Sequence, residues 1–247
     1  MTGVILKKEL HMLFVSPLAW ILLTIIQIIL TWTFLGRLDV FLEIQPQLLQ
    51  IANPPGFTEI IITPVFALAA IILLMITPLL SMRLLAEERR NHTLTLLISA
   101  PLSLTDIVLG KFLSVMVFFG MVIGLLSALS ATLSLGGTLD WGLLFSNVLG
   151  LLFVAASFSA LGLYLSSLTS QPVIAALSTM GILLALWVID LAAGNTNAWL
   201  RDLSLLRHFE HFNQGVLDTF SIVYFILFIA TFLILTIRHL DAERLHG

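Results

Sequence analysis

Charged positions along this chain are rare and clustered, and the stretches between them are almost wholly apolar. A helix needs about 20 predominantly apolar residues to cross the hydrocarbon core of a bilayer. The charge-free runs therefore predict spans at about 17–35, 60–82, 108–134, 141–165, 172–191 and 219–237. The run Trp141–Ile189 is too long for one helix. Its centre, Ser166–Pro172, reads SSLTSQP, which is turn chemistry with Pro172 placed to start a second helix. The runs are continuous and not alternating, which excludes a β-barrel pattern. The fold class is thus all-α: a polytopic membrane protein with six transmembrane helices in a single domain.

Composition agrees with this reading. Of 247 residues 59% are hydrophobic and 10% charged, against roughly 25% charged in an ordinary soluble domain. The net charge of −3 lacks the basic excess of a nucleic-acid binder. There is no cysteine, so thiolate metal sites, disulfides and thiol nucleophiles are excluded. The first apolar run follows a charged segment and has no small-residue cleavage pattern, so it reads as a span rather than a removable leader.

The charges also orient the chain. Eight of the eleven Lys and Arg fall in the amino-terminal segment, the loop after span two, and the tail; Arg37, Arg201 and Arg207 fall on the other side. The positive-inside rule then places both termini in the cytoplasm. Trp20, Trp32, Trp141, Trp187 and Trp199 lie near span ends, where belt aromatics belong.

Chemistry should sit in the gaps. Val4–Phe14 sets Leu6, Leu10, Leu13 and Phe14 against Lys7, Lys8 and His11, with Glu9 beside them. This reads as an amphipathic helix (residues 1–16) at the cytoplasmic interface, or as an extension of span one; Ser16-Pro17 supplies a break that favours the former. The loop 83–107 concentrates Glu87, Glu88, Arg89 and Arg90 and continues through Thr93, Leu97 and Pro101. Ser103 stands as an N-cap with Asp106 at N3 ahead of span three. Such a loop is either a rigid lever between two membrane helices or a solvated turn that enforces topology. On the other side, Trp199–Phe212 is amphipathic. His208, Glu210 and His211 lack the third and fourth ligands and the HExxH pattern of a metal site, and read as interfacial or hydrogen-bonded polar residues. Gly120-x-x-x-Gly124 with Ala128 in span three, and Gly150 with Ser159 and Gly162 in span four, mark small helix faces suited to close packing. Asp190 sits near the outer end of span five, placed to snorkel or to pair with Arg201.

Four segments in order resemble the ABC-2-type exporter permeases, nearest to the gliding-motility-type branch: Lys7–Trp20, Glu87–Lys111, Ser166–Leu177 and Ser204–Phe225. The ordered set covers almost the whole chain, with His92 standing where such permeases often have glycine. The resemblance implies an ABC-2 exporter (type V-like) permease fold in a bacterial inner membrane. It implies that Glu87, Glu88, Arg89, Arg90, Thr93, Leu97 and Pro101 form the loop that docks on a separate ATPase subunit, which binds ATP and Mg. It implies a second copy of the chain, or a related permease, as partner. An auxiliary membrane or periplasmic protein would fit beside membrane lipid. It implies outer re-entrant helices over 194–217, with His208, Phe209, His211, Phe212 and Gly215 at the exit. The chain has no G-x-x-x-x-G-K-[ST] loop, since Gly110-Lys111 lacks the other positions, so ATP hydrolysis is expected elsewhere. No cofactor is expected in the chain itself. Two other classes stay open. An intramembrane protease would need a nucleophile elbow or HExxH, and a secondary transporter would show repeats and midplane charge.

Overall fold

The computed structural model describes residues 2–48, 56–91, 93, 103–135, 138–193 and 204–246. Among them the chain is helical throughout. The helices are α1 (Thr2–Val15), α2 (Pro17–Leu48), α3 (Phe57–Ser81), α4 (Ala86–Arg90), α5 (Leu104–Ala131), α6 (Trp141–Leu168), α7 (Pro172–Ala193), α8 (Leu205–Asn213) and α9 (Thr219–His246). Five of them (α2, α3, α5, α6 and α9) are long and apolar enough to cross a membrane, and α7 carries a shorter apolar stretch over Pro172–Val188.

Helix α6 is the axis of the bundle. It packs against α3, α5, α7, α8 and α9. Its buried positions explain why: Gly150, Ala155, Ala156, Ser157, Ser159, Ala160 and Gly162 are all small. Where lipid tails are as apolar as leucine, close backbone approach, and not water exclusion, holds helices together. At Gly162 an added Cβ would lie 2.5 Å from Ser81 Oγ of α3, and at Gly150 it would lie 2.5 Å from Phe212 Cβ of α8. By contrast few apolar side chains of α2 and α9 are fully buried; Trp32, Ile28, Phe220 and Leu227 are exposed, and these helices lie on the outside of the bundle.

Several buried hydroxyls are satisfied within their own helices, which suits a membrane interior. Thr77 donates to Leu73 O, Ser159 to Ala155 O, Thr179 to Ala175 O and Thr236 to Phe232 O, at 2.6–2.7 Å.

Several boundaries differ from the charge pattern. Helix α2 runs on past Gly36, through Arg37, Asp39 and Glu43, to Leu48. Charges mark where lipid ends, whereas the helix ends where the backbone hydrogen bonds do, so the helix outlasts the apolar run. Helix α5 begins at Leu104, four residues before the expected span, because Ser103 Oγ accepts the Asp106 N–H at 3.0 Å. Helix α6 begins where Asp140 accepts the N–H groups of Gly142 and Leu143. Helix α1 breaks from α2 at Ser16, ahead of Pro17. The expected features at Leu97 and Pro101, and at Gly194–Leu203, lie outside the described residues, as does the side chain of Asp190.

Candidate functional site

The charged residues of four separate segments meet at one end of the bundle. Lys111, in the second turn of α5, is almost completely buried. Burying an ammonium in such a place is costly unless it is paired and hydrogen-bonded. Its Nζ lies 2.8 Å from Glu9 Oε1 of α1 and 2.8 Å from Glu88 Oε1 of α4. One lysine thus joins the interface helix, the short helix after α3, and a membrane helix. Lys8 stands 4.0 Å from the same Glu88 oxygen.

Around this centre each short helix is tied down. Helix α1 lies across α5 at Gly110, where a Cβ would meet Ile5 Cγ2 at 2.7 Å. Its first residue is held by Asp106, whose Oδ1 accepts both the Thr2 N–H and the Thr2 hydroxyl. Helix α4 is anchored by Ser166 at the end of α6: its Oγ accepts the Leu85 N–H at 3.2 Å and the Ala86 N–H at 3.1 Å. Thr93 folds back so that its N–H and hydroxyl both donate to Glu88 O. Arg89 pairs with Glu243 near the end of α9, and His239 Nε2 is 3.6 Å from the same carboxylate. Glu87 and Arg90 remain exposed on the outer face of α4.

The expected residues therefore have distinct places. Glu87, Glu88, Arg89, Arg90 and Thr93 share one small element. Glu88 and Arg89 meet partners within the chain, while Glu87 and Arg90 are exposed, Glu87 on the lining of a cavity beside α1. In α1, Lys7 and Lys8 are exposed, but Glu9 is buried. Of the expected apolar face, Leu6, Leu10, Leu13 and Phe14 are all half-buried, while the fully covered positions of α1 are Ile5 and Glu9. Glu9 looks like a surface residue in sequence, and its neutralising lysine lies 102 residues away. Lys111, Ser166 and Gly110 are the working residues that sequence pattern did not single out as such; the charged Lys111 just inside an apolar run was the available signal.

The opposite end is built differently. Helix α8 is wedged against α6 by Phe209 and Phe212, with Phe212 fully buried. Ser146 Oγ donates to Phe212 O at 2.8 Å, and Asn213 O accepts from Thr63 Oγ1 at 3.3 Å and Asn147 Nδ2 at 3.4 Å. His208 is buried, stacked on Tyr224 at 4.3 Å between ring centres, with Nδ1 3.0 Å from Ser221 Oγ. His211 is half-buried and Glu210 exposed. Among the described residues no three metal-ligating side chains converge. Gly215 adopts φ +79°, a left-handed turn suited to glycine, as α8 gives way to α9. Gly120 and Gly124 have nothing within 4 Å of a Cβ and face away from the rest of the chain. Among the described residues Gly150 and Gly162, of the expected packing glycines, meet a neighbouring helix, and Gly120 and Gly124 do not.

A multi-pass bundle of apolar helices, with a cross-linked joint of charged residues at one end, defines a helical permease of the membrane. The chain belongs to the ABC-2 transporter family: a family model described as ABC-2 family transporter protein matches residues 4–238. The match covers nearly the whole bundle, from α1 into α9, and does not reach the level of the gliding-motility-type branch. No curated protein sequence matches the chain.

Proposed function

We propose that this chain is the membrane subunit of an ATP-driven exporter, and that a separate ATPase subunit works on it through α4. The observation that carries this reading is the buried Glu9–Lys111–Glu88 joint. A push on α4 reaches α1 and α5 together through Lys111, reaches α6 through Ser166, and reaches α9 through Arg89 and Glu243. A solvated loop that served topology alone would need none of these ties. Glu87 and Arg90, exposed and of opposite sign, offer the outer face of α4 to a partner. Family membership supports pairing with an ATPase.

In this reading the charged end faces the cytoplasm of a bacterium across its inner membrane, in keeping with the bias of Lys and Arg and with the meeting of α1, α4, Lys111 and the last turns of α9 at that end. The transporter is a dimer of this chain, or of this chain and a related permease, with two ATPases that hold the ATP and Mg. Rigid-body tilting of the two permeases opens a path outward past Phe209 and Phe212. A solubilised complex tests this directly. Replacing Glu87 and Arg90 with alanine should abolish co-purification of the ATPase subunit while leaving the thermal stability of the chain unchanged. Robust ATP hydrolysis by the purified chain alone would contradict the proposal.

A further inference from the structure

A cavity of about 650 Å³ opens between α1, the last turn of α3, α4 and α5. Its size lies within the range of roughly 300–1,000 Å³ usual for small-ligand sites. One wall is apolar, formed by Met12, Leu13, Leu79 and Leu80; Met12 and Leu79 are exposed at its edge. The other wall is the charged joint. Lys111 there faces Glu9 and Glu88, Lys8 stands 4.0 Å from Glu88, and Glu87 adds a third carboxylate to the lining. Among the described residues no hydrogen-bond donor reaches the buried Glu88 Oε2, a costly state for a carboxylate oxygen. Arg83, also on the lining, is exposed and makes no ion pair among the described residues.

We infer that this cavity binds a phospholipid with a primary-amine headgroup, of the phosphatidylethanolamine type. The ammonium brings three N–H donors, which Glu88 Oε2 lacks, and a positive charge for the carboxylates of Glu87 and Glu88; its phosphate adds a negative charge, so a zwitterion keeps the lining's charges balanced. The phosphate one ethylene unit away meets Arg83 and Lys8, and the acyl chain lies on Met12, Leu13, Leu79 and Leu80. A choline headgroup has the charge but no N–H to donate. A glycerol headgroup leaves the lipid anionic and brings no cation to the carboxylates. The site therefore selects by headgroup, unlike an ordinary lipid-facing surface. It lies between α1 and α4, so the lipid becomes a further tie in the joint. This inference needs only that the chain is a membrane protein and does not depend on ATPase coupling.

The test is native mass spectrometry of the purified full chain, released from micelles holding equal amounts of phosphatidylethanolamine, phosphatidylcholine and phosphatidylglycerol with identical acyl chains. We expect one phosphatidylethanolamine to be retained with about tenfold preference over either other lipid. Arg83→Gln, a change at an exposed position, should cut that retention about fivefold without altering the weak background of the other two. Leu79→Trp, which fills the apolar wall, should do the same. Equal retention of the three lipids, or retention indifferent to both substitutions, would overturn the assignment. So would displacement of the lipid by equimolar soluble phosphoethanolamine, since the apolar wall would then contribute nothing.

Discussion

The two ends of this bundle hold a short helix in place by opposite means. At the charged end, α4 is held by ion pairs and by hydrogen bonds to a serine from another helix. At the far end, α8 is held by aromatic rings pressed onto a glycine and by neutral hydrogen bonds to backbone carbonyls. Ionic contacts tolerate small displacements, because Coulomb attraction falls slowly with distance. Ring-on-glycine packing does not, because repulsion sets in within tenths of an ångström. The charged end is thus suited to receive a push and pass it on. The aromatic end is suited to hold one shape until the helices beneath it move.

The comparison can be broken in several places. The largest effect is expected at Lys111. Lys111→Met strands two buried carboxylates and should destabilise the fold by about 3–5 kcal/mol. Adding Glu9→Gln and Glu88→Gln to the same chain should restore most of the loss, since no charge is then buried unpaired. Thermal unfolding in detergent reads both; a triple variant no better than the single one would show that the lysine packs and does not pair.

The next largest is at the other end. Gly150→Ala drives a Cβ into Phe212 and should cost about 1–3 kcal/mol, whereas Gly120→Ala, at a position open to the outside, should change stability by less than about 0.5 kcal/mol. An equal loss for both in the same unfolding assay would remove the case for a fitted aromatic end. Ser166→Ala leaves the Leu85 and Ala86 N–H groups without their acceptor and should cost about 1–2 kcal/mol. Its sharper readout is faster amide hydrogen exchange confined to 85–90. The smallest effect is expected at Arg89→Gln, since its ion pair with Glu243 is part-exposed and worth about 0–1 kcal/mol. A loss that is measurable at low salt and absent at high salt would fit; a salt-independent loss of several degrees would place Arg89 in the core of the joint.

Much of this architecture was legible in the order of the residues. Apolar runs between charges located the long helices, and Ser103 with Asp106, like Pro172, marked starts that the backbone keeps. These are local signals, written within a turn or two of where they act. The joint was not legible, because its members are far apart in the chain: Glu9 and Lys111 are 102 residues apart, and Arg89 and Glu243 are 154 apart. Periodicity assigned Glu9 to the outside of α1 because it reads a carboxylate as a surface group, and only its pairing with Lys111 reverses that. The glycines carry the same lesson. Gly120 and Gly124 have the spacing of a packing face, but spacing does not say which neighbour a face will meet; Gly150 and Gly162, on the helix that lies at the centre, are the ones that meet partners.

The proposed ATPase contact lies at the charged end, and not at the aromatic end. A photo-reactive amino acid placed at Glu87 in one chain and at Val216 in another, both expressed at native level, tests it in intact membranes. Val216 is exposed in the turn after α8 and serves as the matching position at the far end. The account predicts an adduct between Glu87 and a nucleotide-binding subunit, weakened when ATP is trapped or depleted, and no such adduct from Val216. An ATPase adduct from Val216, or none from Glu87 in membranes where the subunit is present, would contradict it.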